Sequence, residues 1–290
     1  MDRIFKIPVL LALFAGLAFG QASAPSPSVP VDQENSRKAK ALLGEVIQAL
    51  GGQAYLACQE KTEEGRYYTF FHGVSNSAGL PFARHTKFPD KDRLEIIHVH
   101  DLQILPGQLS IPDLKNKKKS DVVLIHNGDK GYETTYKGTA AEEAELTTAY
   151  IRRRKHSLEW VLRKWINEPG VALFYDGPTV AMQKPAEKIT IINAQNDTVT
   201  LFLDATTHLP IETSYSWRDP SDKERNTEEE VYDNYKPVQG IMAPHSVTRY
   251  LNGDMSYQKF LNTVSINRDM PDSMFEATVT YDPMKPQPRR

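Results

Sequence analysis

The sequence predicts an α+β fold, mainly antiparallel β, in which a barrel or strongly curved sheet is covered by two helices. Near the start of the chain, an apolar stripe with helical spacing ends at a Gly-Gly pair. Beyond residue 60, short aromatic and β-branched runs alternate with turn residues. Only one further helical stretch interrupts these runs, which excludes a parallel α/β sheet and favours a curved antiparallel one.

The first residues have the pattern of a signal peptide. A short basic start precedes an apolar run at 7–19, which is shorter than the roughly 20 residues that span a bilayer. We predict cleavage after Gly20, because cleavage after Ala24 would leave Pro25 at the cut. Gln21 stands where a lipid-anchored protein would carry cysteine. An uncleaved signal anchor is the alternative interpretation.

The rest of the chain divides into three predicted parts. Residues 21–31 are rich in Ala, Ser and Pro and are typical of a linker, 32–276 form one domain, and 277–290 form a polar tail. The 290 residues carry a net charge of −2 and a single cysteine, so no intramolecular disulfide forms. An exported, slightly acidic chain also argues against nucleic-acid binding.

Two helices are predicted. The first begins at Asp32 and ends at Gly51-Gly52, since glycine adopts the left-handed turn that ends a helix. Its apolar face consists of Ala39, Leu42, Leu43, Val46, Ile47 and Leu50. The second is a long mid-chain helix at 141–167 that buries Leu158, Val161, Leu162 and Trp165. Trp160 lies off that stripe, and it either caps the edge of the core or faces a cavity.

The strands are predicted from period-two patterns bounded by turn residues. They cover 64–73, 80–88, 93–105, 121–126, 131–137, 171–175, 179–183, 187–193, 198–204, 209–217, 228–235, 241–251 and 255–266.

Few motifs indicate chemistry. His98 and His100 share one strand face and could bind a metal, but only distant His85 or His126 could add a ligand. We therefore predict no metal, no cofactor and no catalytic residue, since no nucleophile signature is present either. Two basic runs, at 115–119 and 152–155, are predicted to be solvated faces or, alternatively, contacts for acidic lipid head groups.

The stretch from Asn193 to Phe275 resembles a known family. Its motifs are Asp204, His208-Leu209-Pro210, Tyr232-Asp233-Asn234-Tyr235, Gly240, Pro244, Asn252-Gly253 and the closing Asn267, Pro271-Asp272 and Phe275. Together they resemble the outer-membrane lipoprotein-sorting (LolA-like) group. That resemblance implies an N-terminal helix followed by a half-open antiparallel barrel wrapped around helices, over roughly residues 33–276.

The resemblance also implies a function. It implies a soluble periplasmic, non-enzymatic carrier that binds lipid or lipoprotein acyl chains in an apolar cavity, with an inward arginine for which Arg66 and Arg84 are the candidates. The predicted ligand-binding residues are Tyr68, Phe70, Trp160, Trp165, Tyr215 and Trp217; each of the six could instead be core. Two alternatives are a periplasmic protein–protein sensor or envelope assembly factor, and an enzyme using His98 and His100.

Overall fold

A computed structural model describes residues 31–97 and 120–283. In these residues fourteen strands form one antiparallel sheet, in the order β7-β6-β5-β4-β3-β1-β14-β13-β12-β11-β10-β9-β8, with β2 paired to β1. The end strands β7 and β8 do not pair, so the barrel is half-open, as predicted. The strands are β1 Glu60–Phe71, β2 Val74–Ser75, β3 Leu80–Lys87, β4 Lys91–Ile97, β5 Ser120–Asn127, β6 Lys130–Thr135, β7 Gly138–Ala141, β8 Ala172–Ala181, β9 Lys184–Ile192, β10 Thr198–Asp204, β11 Pro210–Arg218, β12 Arg225–Val238, β13 Ile241–Leu251 and β14 Asp254–Ile266.

The helices confirm one prediction and correct another. They are α1 Val31–Leu50, α2 Gln53–Ala57, α3 Ala144–Lys155 and α4 Leu158–Arg163, followed by a 3₁₀ turn at Trp165–Asn167. The predicted single helix at 141–167 is therefore wrong, because the chain breaks at His156 and Ser157. The Ser157 side chain accepts a hydrogen bond from the Trp160 backbone N–H and so caps a new helix.

One pair of predicted strands is in fact a single strand. The stretches 171–175 and 179–183 join as β8, which continues through a bulge between Tyr175 and Gly177. Gly177 has φ 103°, a conformation that glycine adopts without strain, so a residue that indicates a turn in sequence lies inside a strand here. Helix α2 and the short strands β2 and β7 were not predicted.

Both edges of the sheet are partly protected. At β7, the backbone N–H groups of Thr280 and Tyr281 donate to the Thr139 carbonyl oxygen. At β8, the Asn35 side chain of α1 accepts from the Tyr175 N–H at 2.8 Å and donates to the Tyr175 carbonyl at 2.7 Å. At the bulge, the Asn35 amide thus makes the two backbone hydrogen bonds that a neighbouring strand would otherwise make.

We expect Asn35→Ala to lower the free energy of unfolding by about 1–3 kcal/mol, because it leaves the N–H and C=O of Tyr175 unsatisfied at a part-buried position. Gln33→Ala, in the exposed first turn of the same helix, is the matched control and should change stability by less than about 0.5 kcal/mol. Denaturant unfolding of both variants measures this. Equal losses of unfolding free energy in the two variants would show that Asn35 does not stabilise the β8 edge of the sheet.

No helix among residues 31–97 and 120–283 has the length and apolar character needed to span a membrane. The signal peptide at 1–20 and most of the predicted linker lie outside the described residues. So do His98, His100, the basic run at 115–119 and the end of the polar tail. The predictions for these segments stay predictions.

Candidate functional site

The inner face of the sheet, defined as the face on which the helices lie, carries a buried apolar region that we call the basal core. This core joins α1, α2, α4 and the 3₁₀ turn to strands β8 to β14. Val46, Val161 and Leu162 are fully buried in it, and Ile189, Ile191 and the other central strand residues fill the space beneath. The helical stripes predicted from sequence therefore form the covered part of the inner face.

A band of charged side chains lies next to the basal core on the inner face. At its centre, Glu63 accepts from Lys259 at 2.6 Å and lies 3.2 Å from the Lys61 ammonium group. Lys61 also donates to Glu159 of α4 at 2.5 Å. The Glu63 and Lys259 side chains are only 7% and 10% exposed. Because both charges are buried, each depends on the other for compensation.

The band continues under α3 towards β4 and β5. Arg84 forms a bidentate ion pair with Asp92, and the Tyr150 hydroxyl of α3 donates to the same carboxylate at 3.1 Å. Beside it, His126 pairs with Glu142 at 2.9 Å, and its ring stacks on Tyr150 at 3.5 Å between centroids. Helix α3 has no buried residue of its own, so polar contacts and ring stacking hold it on the sheet.

At its other end the band reaches β12 and β13. Arg249 donates to Glu230 at 2.6 Å, and Glu228 lies between Arg249 and Arg153 of α3, at 3.4 and 3.0 Å. The Tyr232 hydroxyl donates to Glu230 at 3.1 Å. The charged groups therefore form a connected band from α3 across the sheet and not a set of isolated pairs.

Two carboxylates of the band, Glu63 and Glu230, have lowered pKa values. Burial alone would raise the pKa of Glu63, but the charges of Lys259 and Lys61 outweigh it and hold that pKa well below its usual range. In the same way, burial raises the pKa of Glu230, while Arg249 lowers it, with a result of about 2. Glu63 and Glu230 are therefore ionised at neutral pH.

A second apolar region, which we call the lateral cluster, lies beyond the band. It consists of Tyr67, Phe82 and Leu261, with half-buried Leu80, Leu94, Ile96, Tyr257 and Val264 packed against them. All eight belong to β1, β3, β4 and β14, and no helical residue of the described chain belongs to it. Cross-strand register places it on the inner face, since Tyr67 lies opposite Lys259 and Leu94 opposite Arg84.

The lateral cluster does not contain Tyr68 and Phe70, the two β1 aromatic residues that the sequence predicted to bind ligand. Tyr68 and Phe70 alternate with Tyr67 along β1, so they point to the other face of the sheet. There Tyr68 packs against the half-exposed ring of Phe260, at 6.0 Å between centroids. Their assignment to ligand binding stays a prediction, and the structure places them away from the helices.

The other four predicted residues lie around the α3–α4 junction. Trp165 and Tyr215 are buried in the basal core, and half-buried Trp160 and Trp217 pack against it. Tyr215 stacks on His156 at 4.4 Å, and the Arg152 guanidinium lies 4.0 Å from the Trp217 ring centre. Trp160 is 6.0 Å from the Phe88 ring, which places it at the edge of the core. These residues form one neighbourhood, to which Tyr68 and Phe70 do not belong.

The strand register shows which of the two candidate arginines lies on the inner face. Arg84 lies opposite Glu63 on the inner face, whereas Arg66 lies opposite Pro81 and donates to the Gly79 carbonyl on the other face.

Sequence reasoning missed the lateral cluster, although the alternation of Leu94 and Ile96 in the predicted strand 93–105 could have indicated it.

The described residues show no pocket built for a cofactor. One hollow of about 280 Å³ is lined mainly by polar residues of β10, β11 and the start of β12, and another of about 340 Å³ lies between β5, β6 and the C-terminal segment. Within the described ranges, no group of three or more His, Cys, Asp or Glu side chains could hold a metal ion. Neither hollow is lined by a residue of the lateral cluster.

The sheet order, the unclosed edges and the helices on the inner face together describe a half-open antiparallel barrel. Solved structures that share this fold include the following two. An outer membrane lipoprotein-sorting protein domain from Vibrio parahaemolyticus matches with a TM-score of 0.52 and 9% identity, covering 82% of this chain and 97% of its own. A DUF1329 family protein from Desulfovibrio piger matches with a TM-score of 0.54, the same identity and the same coverage.

At this identity the likeness shows the fold alone, and it confirms the resemblance at that level. No protein-family model matches the sequence, and no curated protein matches it either.

Proposed function

We propose that this protein is an exported, periplasmic, non-enzymatic binding protein or carrier for lipid or lipoprotein acyl chains, and that the lateral cluster is the surface that binds them. The observation that supports it is that eight apolar side chains on the inner face form a cluster to which no helical residue of the described chain belongs. An unclosed sheet leaves such a face to be covered by a ligand or by other protein. The LolA-like fold supports the same conclusion by analogy.

The rim of the inner face supports the same proposal. Phe71 and Val74 pair across the β1–β2 hairpin and are 69% and 70% exposed. Phe71 lies four residues beyond Tyr67, so it points to the same face as the lateral cluster. An exposed apolar pair at this position provides a path for an apolar ligand between the outside and the cluster.

The test is titration of a fluorescent fatty-acid probe. We expect wild type to bind it, and Leu94→Gln/Ile96→Gln to bind it at least tenfold more weakly, because two apolar contacts become polar without a large change of volume. Phe174→Gln, at an exposed apolar position on β8, is the control and should bind like wild type.

Denaturant unfolding of the same variants separates loss of binding from loss of fold. The proposal fails if folded wild type binds no apolar probe, or if Phe174→Gln weakens binding as much as the double change. In that event the alternative function, a periplasmic sensor or envelope assembly factor, would be favoured. A protein that co-purifies in place of lipid would support it.

A further inference from the structure

The outer face of the sheet, opposite the inner face, carries a group of hydroxyl side chains where β10 and β11 lie together. Four of them line the hollow of about 280 Å³: Thr198 and Thr200 on β10, and Ser214 and Ser216 on β11. Each alternates along its strand with a buried residue of the basal core, Val199 or Tyr215, so its side chain points outward. Strand register places Thr200 directly opposite Ser214. The hollow therefore offers hydrogen-bond donors and acceptors in neighbouring rows.

Two arginines line the same hollow. Arg218 on β11 and Arg225 on β12 lie directly opposite each other, and both are exposed. In the described part of the chain, neither guanidinium group has a carboxylate oxygen within 4.0 Å, and Arg218 donates to the Lys223 carbonyl oxygen at 3.3 Å. Like charges in directly opposite positions of neighbouring strands are destabilising. A bound anion would remove that repulsion.

The acidic residues of the turn between β11 and β12 are engaged within the turn itself. Asp219 accepts from the backbone N–H and the hydroxyl group of Ser221, at 2.8 and 2.6 Å. Asp222 accepts from the Glu224 N–H at 2.8 Å. These carboxylates stabilise the turn, and the arginine pair is left to an external anion.

One carboxylate does line the hollow, and it restricts the kind of ligand. Asp197 accepts from the side-chain amide of Asn193 at 3.3 Å. Its charge repels a bare anion, but its oxygens can accept hydrogen bonds from hydroxyl groups of a ligand. The lining therefore favours a ligand that carries an anionic group together with hydroxyl groups.

We propose that this hollow binds a phosphate ester of a small polyol or sugar. Arg218 and Arg225 bind the phosphate, because the planar guanidinium group donates several N–H groups to phosphate oxygens. The strand hydroxyls and Asp197 bind the hydroxyl groups of the ligand. At about 30 Å³ for each water, the hollow holds roughly nine waters, which leaves room for the polyol beside the phosphate. The site lies on the other face from the lateral cluster, so this inference does not depend on the proposed function.

The test compares three soluble probes by isothermal titration: inorganic phosphate, glycerol and glycerol 3-phosphate. We expect wild type to bind glycerol 3-phosphate with a Kd below about 1 mM, inorganic phosphate about fivefold more weakly or worse, and glycerol not measurably. Sedimentation with phosphatidylcholine vesicles that contain phosphatidylglycerol tests the same ester as a lipid head group.

Two variants and a control identify the contacts. Arg218→Gln/Arg225→Gln should weaken binding of the ester by about tenfold or more. Arg37→Gln/Lys40→Gln removes the same two positive charges from exposed positions of α1 and should bind like wild type.

The hydroxyl groups are tested by a second variant. Thr200→Val/Ser214→Ala should weaken binding of glycerol 3-phosphate but leave that of inorganic phosphate within about twofold. Thermal unfolding shows that the variants are folded, and loss of the arginine pair should not lower the unfolding midpoint.

Binding that is lost in the arginine variant and kept in the α1 control supports the site. Binding of the soluble ester then assigns a free ligand, and binding of the vesicles alone assigns a lipid head group. The inference is overturned if wild type binds neither, if the arginine variant binds like wild type, or if the control loses as much affinity. Equal affinity for inorganic phosphate and glycerol 3-phosphate would overturn the role given to the hydroxyl groups.

Discussion

Replacing Lys259 by Met is expected to lower the free energy of unfolding by about 3 kcal/mol, measured by denaturant unfolding at pH 7. The change leaves the Glu63 carboxylate buried with Lys61, at 3.2 Å, as its remaining ion-pair partner. Breaking a buried ion pair typically costs about 3–5 kcal/mol, and Lys61 keeps the loss at the lower end. The double change Glu63→Leu/Lys259→Met should recover most of this loss, because it leaves no unpaired charge.

An exposed ion pair is the control for this prediction. Lys184 and Asp233 lie 3.5 Å apart with side chains that are 50% and 68% exposed. Lys184→Met should change the free energy of unfolding by less than about 0.5 kcal/mol, since solvent screens such pairs. If Lys184→Met and Lys259→Met cost the same, or if the double variant is less stable than Lys259→Met, the charged band does not stabilise the inner face as described.

The dependence of this stability on pH gives a second measurement. The pKa of Glu63 is lowered in the folded protein, so its contribution is complete above its unfolded pKa of about 4.5. It is lost as the pH falls from there towards the folded pKa, because the unfolded chain then binds the extra proton. The double variant lacks this carboxylate and should lose less stability than wild type between about pH 5 and pH 3.

Trp165→Ala is expected to cost about 3–5 kcal/mol of unfolding free energy, because the indole is 3% exposed in the basal core and the change leaves a large cavity. Trp160→Ala should cost clearly less, since that ring is half-buried at the edge of the core. Denaturant unfolding of both variants measures the difference.

Probe titration on the same two variants tests their predicted part in binding. One of the two sequence interpretations has Trp160 facing a cavity, and under that interpretation its replacement should weaken binding of the fatty-acid probe while the fold persists. Equal unfolding costs for Trp160→Ala and Trp165→Ala would contradict the division between core centre and core edge. A Trp160 variant that binds normally would remove that residue from the site.

The fold was largely predictable from local patterns. Strands β10 and β13 have the predicted bounds, and α1 lies within one residue of its prediction, because alternation and helical spacing are written in consecutive residues. The break at His156 and Ser157 was missed, since the apolar stripe continues across it. Strand β8 was split at Gly177, because a glycine that relieves a bulge looks like a turn in sequence.

The candidate site was harder to predict, for a physical reason. Glu63 and Lys259 are 196 positions apart, and only the pairing of β1 with β14 brings them together. In sequence they look like ordinary polar strand residues that face solvent. The choice between Tyr67 and Tyr68 depended on the strand's exact register, which a one-residue uncertainty reverses. Aromatic residues alone therefore indicated a cavity without identifying its walls.

The central claim is that the inner face binds an apolar chain at the lateral cluster, and mass spectrometry of organic extracts tests it most directly. Protein is purified without detergent, and wild type is compared with Leu94→Gln/Ile96→Gln at equal amounts of folded protein. We expect near-stoichiometric lipid or fatty acid from wild type and at least tenfold less from the double variant. Extracts of folded wild type that contain no lipid, or equal lipid from both proteins, would contradict the account.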